Sequence, residues 1–320
     1  MMKWLPGLAL AVILMGGGSA AARTLEAAPL GQGLRLEYYV SAPPGASYAH
    51  ILIAVHGYPR DANRTFDAAV AAAAADHSAD TLIVAPIFQV PAGEAGKCHF
   101  HGVPRARRGE ALWHCDDWAD GSPALNAPVT SFQAMDLLVA SLLRRDPAAQ
   151  TVTIAGFSAG GQYVQHYIGF AHAPARAVKL RYVVGDPSEF LYFDPSRPVR
   201  DTAACPGYND WKFGTDHLPA DLGRDAAIAR AVYANANVHY LEGAQDSGTG
   251  HATAYRRLER NCAAELQGPY RLQRGEAYAA YDRAVLAHGN HPLTIVPGCA
   301  HAVMCVFPAA AARGALFGGQ

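Results

Sequence analysis

The chain has little net charge, no internal repeat, no low-complexity linker and only one long apolar run. Twenty-six Lys and Arg against 27 Asp and Glu leave a formal net charge of -1 over 320 residues. No global field therefore draws it to nucleic acid or to acidic partners. Without repeats, solenoids and propellers are excluded, and without a linker residues 23–320 read as one domain, long enough for a substantial core. The apolar run, Trp4 to Met15, follows Met1-Met2-Lys3 and precedes Ala20-Ala21-Ala22. It is short for a spanning helix and broken by Pro6 and Gly7. Its layout is that of a secretory signal peptide, residues 1–22, cut near Ala22. The protein is thus expected to be secreted or periplasmic, with no stable membrane insertion after signal removal.

No cysteine is left over. Six of them in an exported chain imply three disulfides, and the favoured pairing is Cys98 with Cys115, Cys205 with Cys262, and Cys299 with Cys305, although sequence alone leaves the connectivity open. Asn63-Arg64-Thr65 is a glycosylation sequon that matters only in a eukaryotic secretory route.

Along the chain, 34–40 alternates like an edge strand, while 50–55, 81–86 and 151–154 are apolar runs suited to strands buried on both faces. Further strands are expected at 181–184, 238–241 and 293–296. Helices are expected at 65–76, from a Thr130 cap to about 145, at 226–233, 248–266 and 276–287. Segment 89–126 has no period and reads as a long loop pinned by Cys98 and Cys115. Segment 190–222, rich in aromatics and prolines, reads as a small cap insertion. The alternation predicts an α/β fold, a mostly parallel central sheet with helices on both faces.

The most informative stretch is Thr151 to Gln162, TVTIAGFSAGGQ. A β-branched run turns through Gly156-Phe157-Ser158-Ala159-Gly160 into an apolar helix, the strand, turn and helix context of a G-x-S-x-G nucleophile elbow. A serine needs a base to take its proton and a carboxylate to hold that base. His301, just past the last strand in Pro297-Gly298-Cys299-Ala300-His301, is placed to be the base; His56, His166, His172, His217, His239, His251, His288 and His291 fit less well. Asp246, in Gly243-Ala244-Gln245-Asp246, is the favoured acid, with Asp186 and Glu242 as rivals. The oxyanion hole needs two backbone donors: Ala159 beside the serine, and Gly57 or Tyr58 after the early buried strand, with Tyr58 preferred. Tyr208, Trp211 and Phe213 are candidates for the substrate wall or for buried cap core.

Cys98-His99-Phe100-His101 and His114-Cys115-Asp116-Asp117 offer zinc-type ligands, but their spacing fits no zinc pattern, so no metal is expected. Arg105, Arg107, Arg108, Arg256, Arg257, Arg260, Arg271 and Arg274 read as solvated faces unless they converge beside Ser158, which would suit an anionic substrate.

With His56-Gly57, GFSAGGQ (156–162), GAQD (243–246) and PGCAH (297–301) in that order, most of the chain resembles the α/β-hydrolase superfamily. GFSAGGQ, NDWKFG (209–214) and ELQGPYRLQRG (265–275) resemble exported hydrolases grouped with polyhydroxybutyrate depolymerase-like and esterase-like enzymes. The resemblance implies carboxylic-ester hydrolysis through an acyl-enzyme at Ser158, without a cofactor, on a small or polymeric substrate. The chain is similar also to exported poly(aspartic acid) hydrolases, which implies amide cleavage of an anionic polymer as the alternative. A catalytically inert binding module on the same fold is the non-enzyme alternative.

Overall fold

A computed structural model describes residues 23–42 and 45–318. The expected signal peptide lies outside the described residues.

Eight strands form one sheet among these residues: β1 (Thr24–Gly31), β2 (Leu34–Val40), β3 (His50–Val55), β4 (Thr81–Pro86), β5 (Thr151–Phe157), β6 (Lys179–Gly185), β7 (Val238–Gly243) and β8 (Leu293–Val296). Their order is β1-β2-β4-β3-β5-β6-β7-β8. The β1–β2 and β2–β4 pairs are antiparallel, and all later pairs are parallel.

Strand β3 shows why the central strands are apolar throughout. Ile51, Ile53 and Val55 enter one core and Leu52 and Ala54 the other, so successive residues face opposite layers and neither layer is solvent. One layer holds α1 (Ala62–Asp76) and the short C-terminal helices α8 (Val303–Val306) and α9 (Arg313–Phe317). The other holds α3 (Ser131–Arg145), α4 (Ala159–Phe170), α5 (Ala226–Ala234) and α7 (Arg271–Val285). Two single-turn helices, α2 (Ala95–Cys98) and α6 (Cys262–Glu265), sit in the connecting loops. Thr130 caps α3 as expected: its side chain accepts from the Gln133 N–H, and the Gln133 side chain returns to the Thr130 N–H, satisfying two donors that the first turn would otherwise leave free.

The expected helix at 248–266 does not form. His251–Thr253 and Tyr255–Arg257 are isolated 3-10 turns, and only Cys262–Glu265 is helical. Gly248 and Ala254 have φ of 99° and 46°, and Leu258 is extended. Asn261 then starts a fresh helix by accepting from the Ala264 N–H. Segment 190–222 begins inside the main core, where Phe190, Leu191, Tyr192 and Phe193 are buried. It then passes to a small separate cluster of Cys205, Phe213, Ala263, Ala264 and Leu266. The three disulfides pair Cys98–Cys115, Cys205–Cys262 and Cys299–Cys305, as favoured from the sequence.

Candidate active site

The turn between β5 and α4 holds Ser158 at φ 61°, ψ -125°, a conformation that L-residues avoid and that persists only where the surroundings enforce it. The neighbouring glycines are that enforcement. A Cβ on Gly156 would lie 1.9 Å from the Gly160 carbonyl oxygen, and one on Gly160 would lie 2.3 Å from the Val55 carbonyl oxygen. The helix therefore starts against the strands with no room for a side chain, and Ser158 stands at its N-terminus, half-buried.

Loops after β7 and β8 bring the other two groups to it. His301 Nε2 lies 2.9 Å from Ser158 Oγ, and His301 Nδ1 lies 2.6 Å from Asp246 Oδ2. The loops are tied together by backbone bonds, Gln245 N–H to Cys299 O at 2.8 Å and His301 N–H to Ala252 O at 3.1 Å. The His301 ring also packs on Phe157, 4.9 Å between centroids. Burial and then the Arg271 guanidinium hold the His301 pKa below the usual imidazole value, against the upward pull of its bond to Asp246. Arg271 itself is buried, with Nη1 3.7 Å from Asp246 Oδ1.

Both rival acids lie behind this group. Asp186, fully buried after β6, accepts from the Gly243 N–H at 2.9 Å. Glu242 is fully buried beside it. Asp186, Asp246 and His301 each present an atom within 4.8 Å of the others, a spacing that a cation would also fit. Asp246 and His301, however, already spend theirs on each other and on Ser158.

The loop after β3 carries Gly57 and Tyr58. The Gly57 N–H is occupied by Asp61 Oδ1 at 3.0 Å. The Gly57 carbonyl accepts from His56 Nδ1 at 2.9 Å and from the Arg60 N–H at 3.1 Å. In a trans peptide the N–H points away from the C=O, so the Tyr58 N–H lies on the peptide edge opposite these donors. Arg60, fully buried, sends its guanidinium to the carbonyls of Phe88, Tyr58, Cys115 and His114 at 2.7–3.2 Å, and so stitches the Tyr58 loop to the Cys98–Cys115 loop.

A cleft of about 310 Å³ opens over Ser158, lined among others by Tyr58, Asp116, Ala159, Gln162, Glu189, Lys212, Arg256, Arg257 and Glu259. Its wall is polar. Lys212 Nζ pairs with Glu189 at 2.8 Å and Asp120 at 3.4 Å. Burial disfavours its charge, but these two carboxylates raise its pKa above the usual lysine value. Arg256 and Arg257 are exposed, and the Arg257 guanidinium lies 5.4 Å over the Tyr58 ring.

The three aromatic wall candidates are not among the lining residues. Trp211 packs on His166 and Phe170, Phe213 lies in the small cluster around Cys205, and Tyr208 packs against that cluster while donating to the Pro195 carbonyl. They are packing residues because apolar rings fill the gaps between loops, while their neighbour Lys212 reaches the cleft. Arg271 and Arg274 are buried rather than solvated. Cys98 and Cys115 are joined to each other, so neither offers a free thiolate.

No family model matches the chain, and no curated protein matches it in sequence. Among solved structures it is similar to poly(aspartic acid) hydrolase-1 from Sphingomonas sp. KT-1, with TM-score 0.61 and 19% identity over 92% of this chain and 98% of that one. It is similar as well to the poly(3-hydroxybutyrate) depolymerase LpqC from Bordetella parapertussis, with TM-score 0.59 and 22% identity over 91% and 88%. At such identities the likeness speaks for the fold.

Proposed function

We propose that this chain, an α/β-hydrolase by fold, is an exported serine hydrolase that cleaves carboxylic esters through an acyl-enzyme. The observation that carries the reading is the unbroken row from Ser158 Oγ through His301 to Asp246, 2.9 and 2.6 Å, with Ser158 lining an open cleft. Ser158 attacks the acyl carbon while His301 Nε2 takes its proton. Asp246 fixes the tautomer with hydrogen on Nδ1 and stabilises the imidazolium. The Tyr58 and Ala159 N–H groups bind the oxyanion; the occupation of the Gly57 N–H by Asp61 favours Tyr58 over Gly57. His301 protonates the leaving group, then activates the water that releases the acyl group. Export is supported by the composition of residues 1–22 and by the three disulfides. No helix among the described residues is long and apolar enough to cross a membrane.

A second reading, amide hydrolysis of an anionic polymer, is favoured by the exposed Arg256 and Arg257 on the cleft wall. Paired assays on p-nitrophenyl esters and on an anionic polyamide separate the two, and activity on the polyamide alone would replace the first reading by the second. Labelling by a fluorophosphonate that disappears in Ser158→Ala supports either enzyme. Absent labelling of the wild type would leave a binding module.

A further inference from the structure

We infer that Asp186 is a reserve acid for His301, a second carboxylate that takes over the orientation of the imidazole when Asp246 is lost. This rests on the reading of Ser158, His301 and Asp246 given above.

The geometry comes first. Strands β6 and β7 are parallel neighbours, so the loops leaving their carboxyl ends place Asp186 and Asp246 side by side. One oxygen of Asp186, one of Asp246 and one ring nitrogen of His301 lie within 4.8 Å of one another. A small swing of the imidazole or of the Asp186 side chain closes that gap. Asp186 Oδ1 is held by the Gly243 N–H at 2.9 Å, while Oδ2 is buried without a hydrogen-bond partner. Both Glu242 oxygens are likewise buried and unpartnered.

Charge counting explains these orphans. Asp186, Glu242 and Asp246 share one buried cation, Arg271, with His301 completing the ring of titratable groups around them. Three carboxylates cannot all ionise against one guanidinium in a dry site. Asp246 is the carboxylate that pairs with Arg271 and His301. Glu242 is pushed far above the usual carboxyl range by burial and by Asp186, and so carries a proton. Asp186 is itself raised to about 7 by burial and by the Asp246 charge. Neutralising Asp246 removes one of the two causes that raise the Asp186 pKa. The variant therefore favours the replacement carboxylate where it is needed, with the Gly243 N–H already bound to it.

The test is a double-mutant cycle on a p-nitrophenyl ester with Asp246→Asn, Asp186→Asn and the double variant, beside Ser158→Ala. Loss of a triad's sole acid costs about 10⁴-fold in kcat. With a reserve, Asp246→Asn is expected to lose about 10²-fold, and adding Asp186→Asn to lose the remaining ~10²-fold. A readout independent of turnover is the low-field proton resonance of His301 Nδ1–H, expected to persist in Asp246→Asn and vanish in the double variant. That resonance also decides the question in Asp246→Ala if the double variant fails to fold: it persists if Asp186 takes over. Full ~10⁴-fold loss in Asp246→Asn with disappearance of the resonance overturns the role of Asp186. Undiminished activity in Ser158→Ala overturns the underlying reading of the site instead.

Discussion

Replacing His56 by Phe separates what the proposed oxyanion loop owes to shape from what it owes to hydrogen bonds. The ring is fully buried, 4.6 Å from Trp118 and 5.9 Å from Phe88 between centroids, and a phenyl group retains that packing. Two bonds are lost: Nδ1–H to the Gly57 carbonyl at 2.9 Å, and the Phe88 N–H to Nε2 at 3.2 Å. The Phe88 N–H is left without its partner, while the Gly57 carbonyl keeps the Arg60 N–H. An orphaned buried group costs about 1–3 kcal/mol, so a total of about 2–4 kcal/mol is expected at neutral pH. Complete loss of the Tyr58 donor would cost about 10²–10³-fold in kcat. Because Arg60 still grips the same peptide, a loss of about 10–10²-fold is expected, with KM little changed.

The pH dependence gives the sharper check. Burial, and then the Arg60 charge, push the His56 pKa down from 6.5 to about 3. The unfolded chain binds this proton more readily than the folded one, so the stability due to a neutral His56 is present above pH 6.5 and lost as pH falls towards 3. The slope is about 1.4 kcal/mol per pH unit. Between pH 7 and 5 the stability difference between wild type and His56→Phe should therefore shrink by roughly 2 kcal/mol, as measured by urea unfolding at each pH. A difference that stays constant with pH, together with unchanged kcat, would refute the reasoning.

Three further outcomes are expected. The acid limb of kcat/KM should lie below 6.5, because burial and Arg271 depress the His301 pKa and only the neutral ring accepts the Ser158 proton; Arg271→Gln should move the limb upward in a pH-rate profile. Removing the Cys98–Cys115 bond, which closes a separation of 17 residues, should cost about 3 kcal/mol by denaturant titration and lower activity, since Asp116 and Trp118 of the same loop line the cleft. Gly160→Ala should cost about 3 kcal/mol or more, because its Cβ would meet the Val55 and His56 carbonyl oxygens at 2.3 and 2.5 Å. Gly314→Ala in α9 meets nothing within 4 Å and should stay within about 1 kcal/mol of wild type when both glycine variants are compared by thermal melts.

The strands that build the centre were legible because burial on two faces forces apolar runs, and 50–55 and 81–86 agree with β3 and β4 at both ends; 34–40 and 293–296 likewise agree with β2 and the edge strand β8. Strand β1 was not, since TLEAAPLG lacks alternation and carries Pro29 beside a register irregularity. The proposed helix at 248–266 failed because its apparent helical content hid the glycines and the Asn261 cap that break it. Within the site, Ser158 was expected from its elbow motif and Asp246 and His301 from loop order, and the three side chains meet in the structure. Arg60, Arg271 and the Lys212–Glu189–Asp120 cluster could not. A charged side chain carries no local mark of being buried, and each of these depends on partners distant in the chain.

The three crosslinks share one end of the molecule. Cys98–Cys115 follows β4, Cys205–Cys262 joins the connections after β6 and β7, and Cys299–Cys305 follows β8. All are at the carboxyl edge of the sheet, where the cleft is; the amino edge has none among the described residues. A reducing environment would thus act on this molecule unevenly. It would slacken the rim of the cleft while the framework beneath stayed folded, so thiol exposure should abolish the proposed activity before it melts the protein.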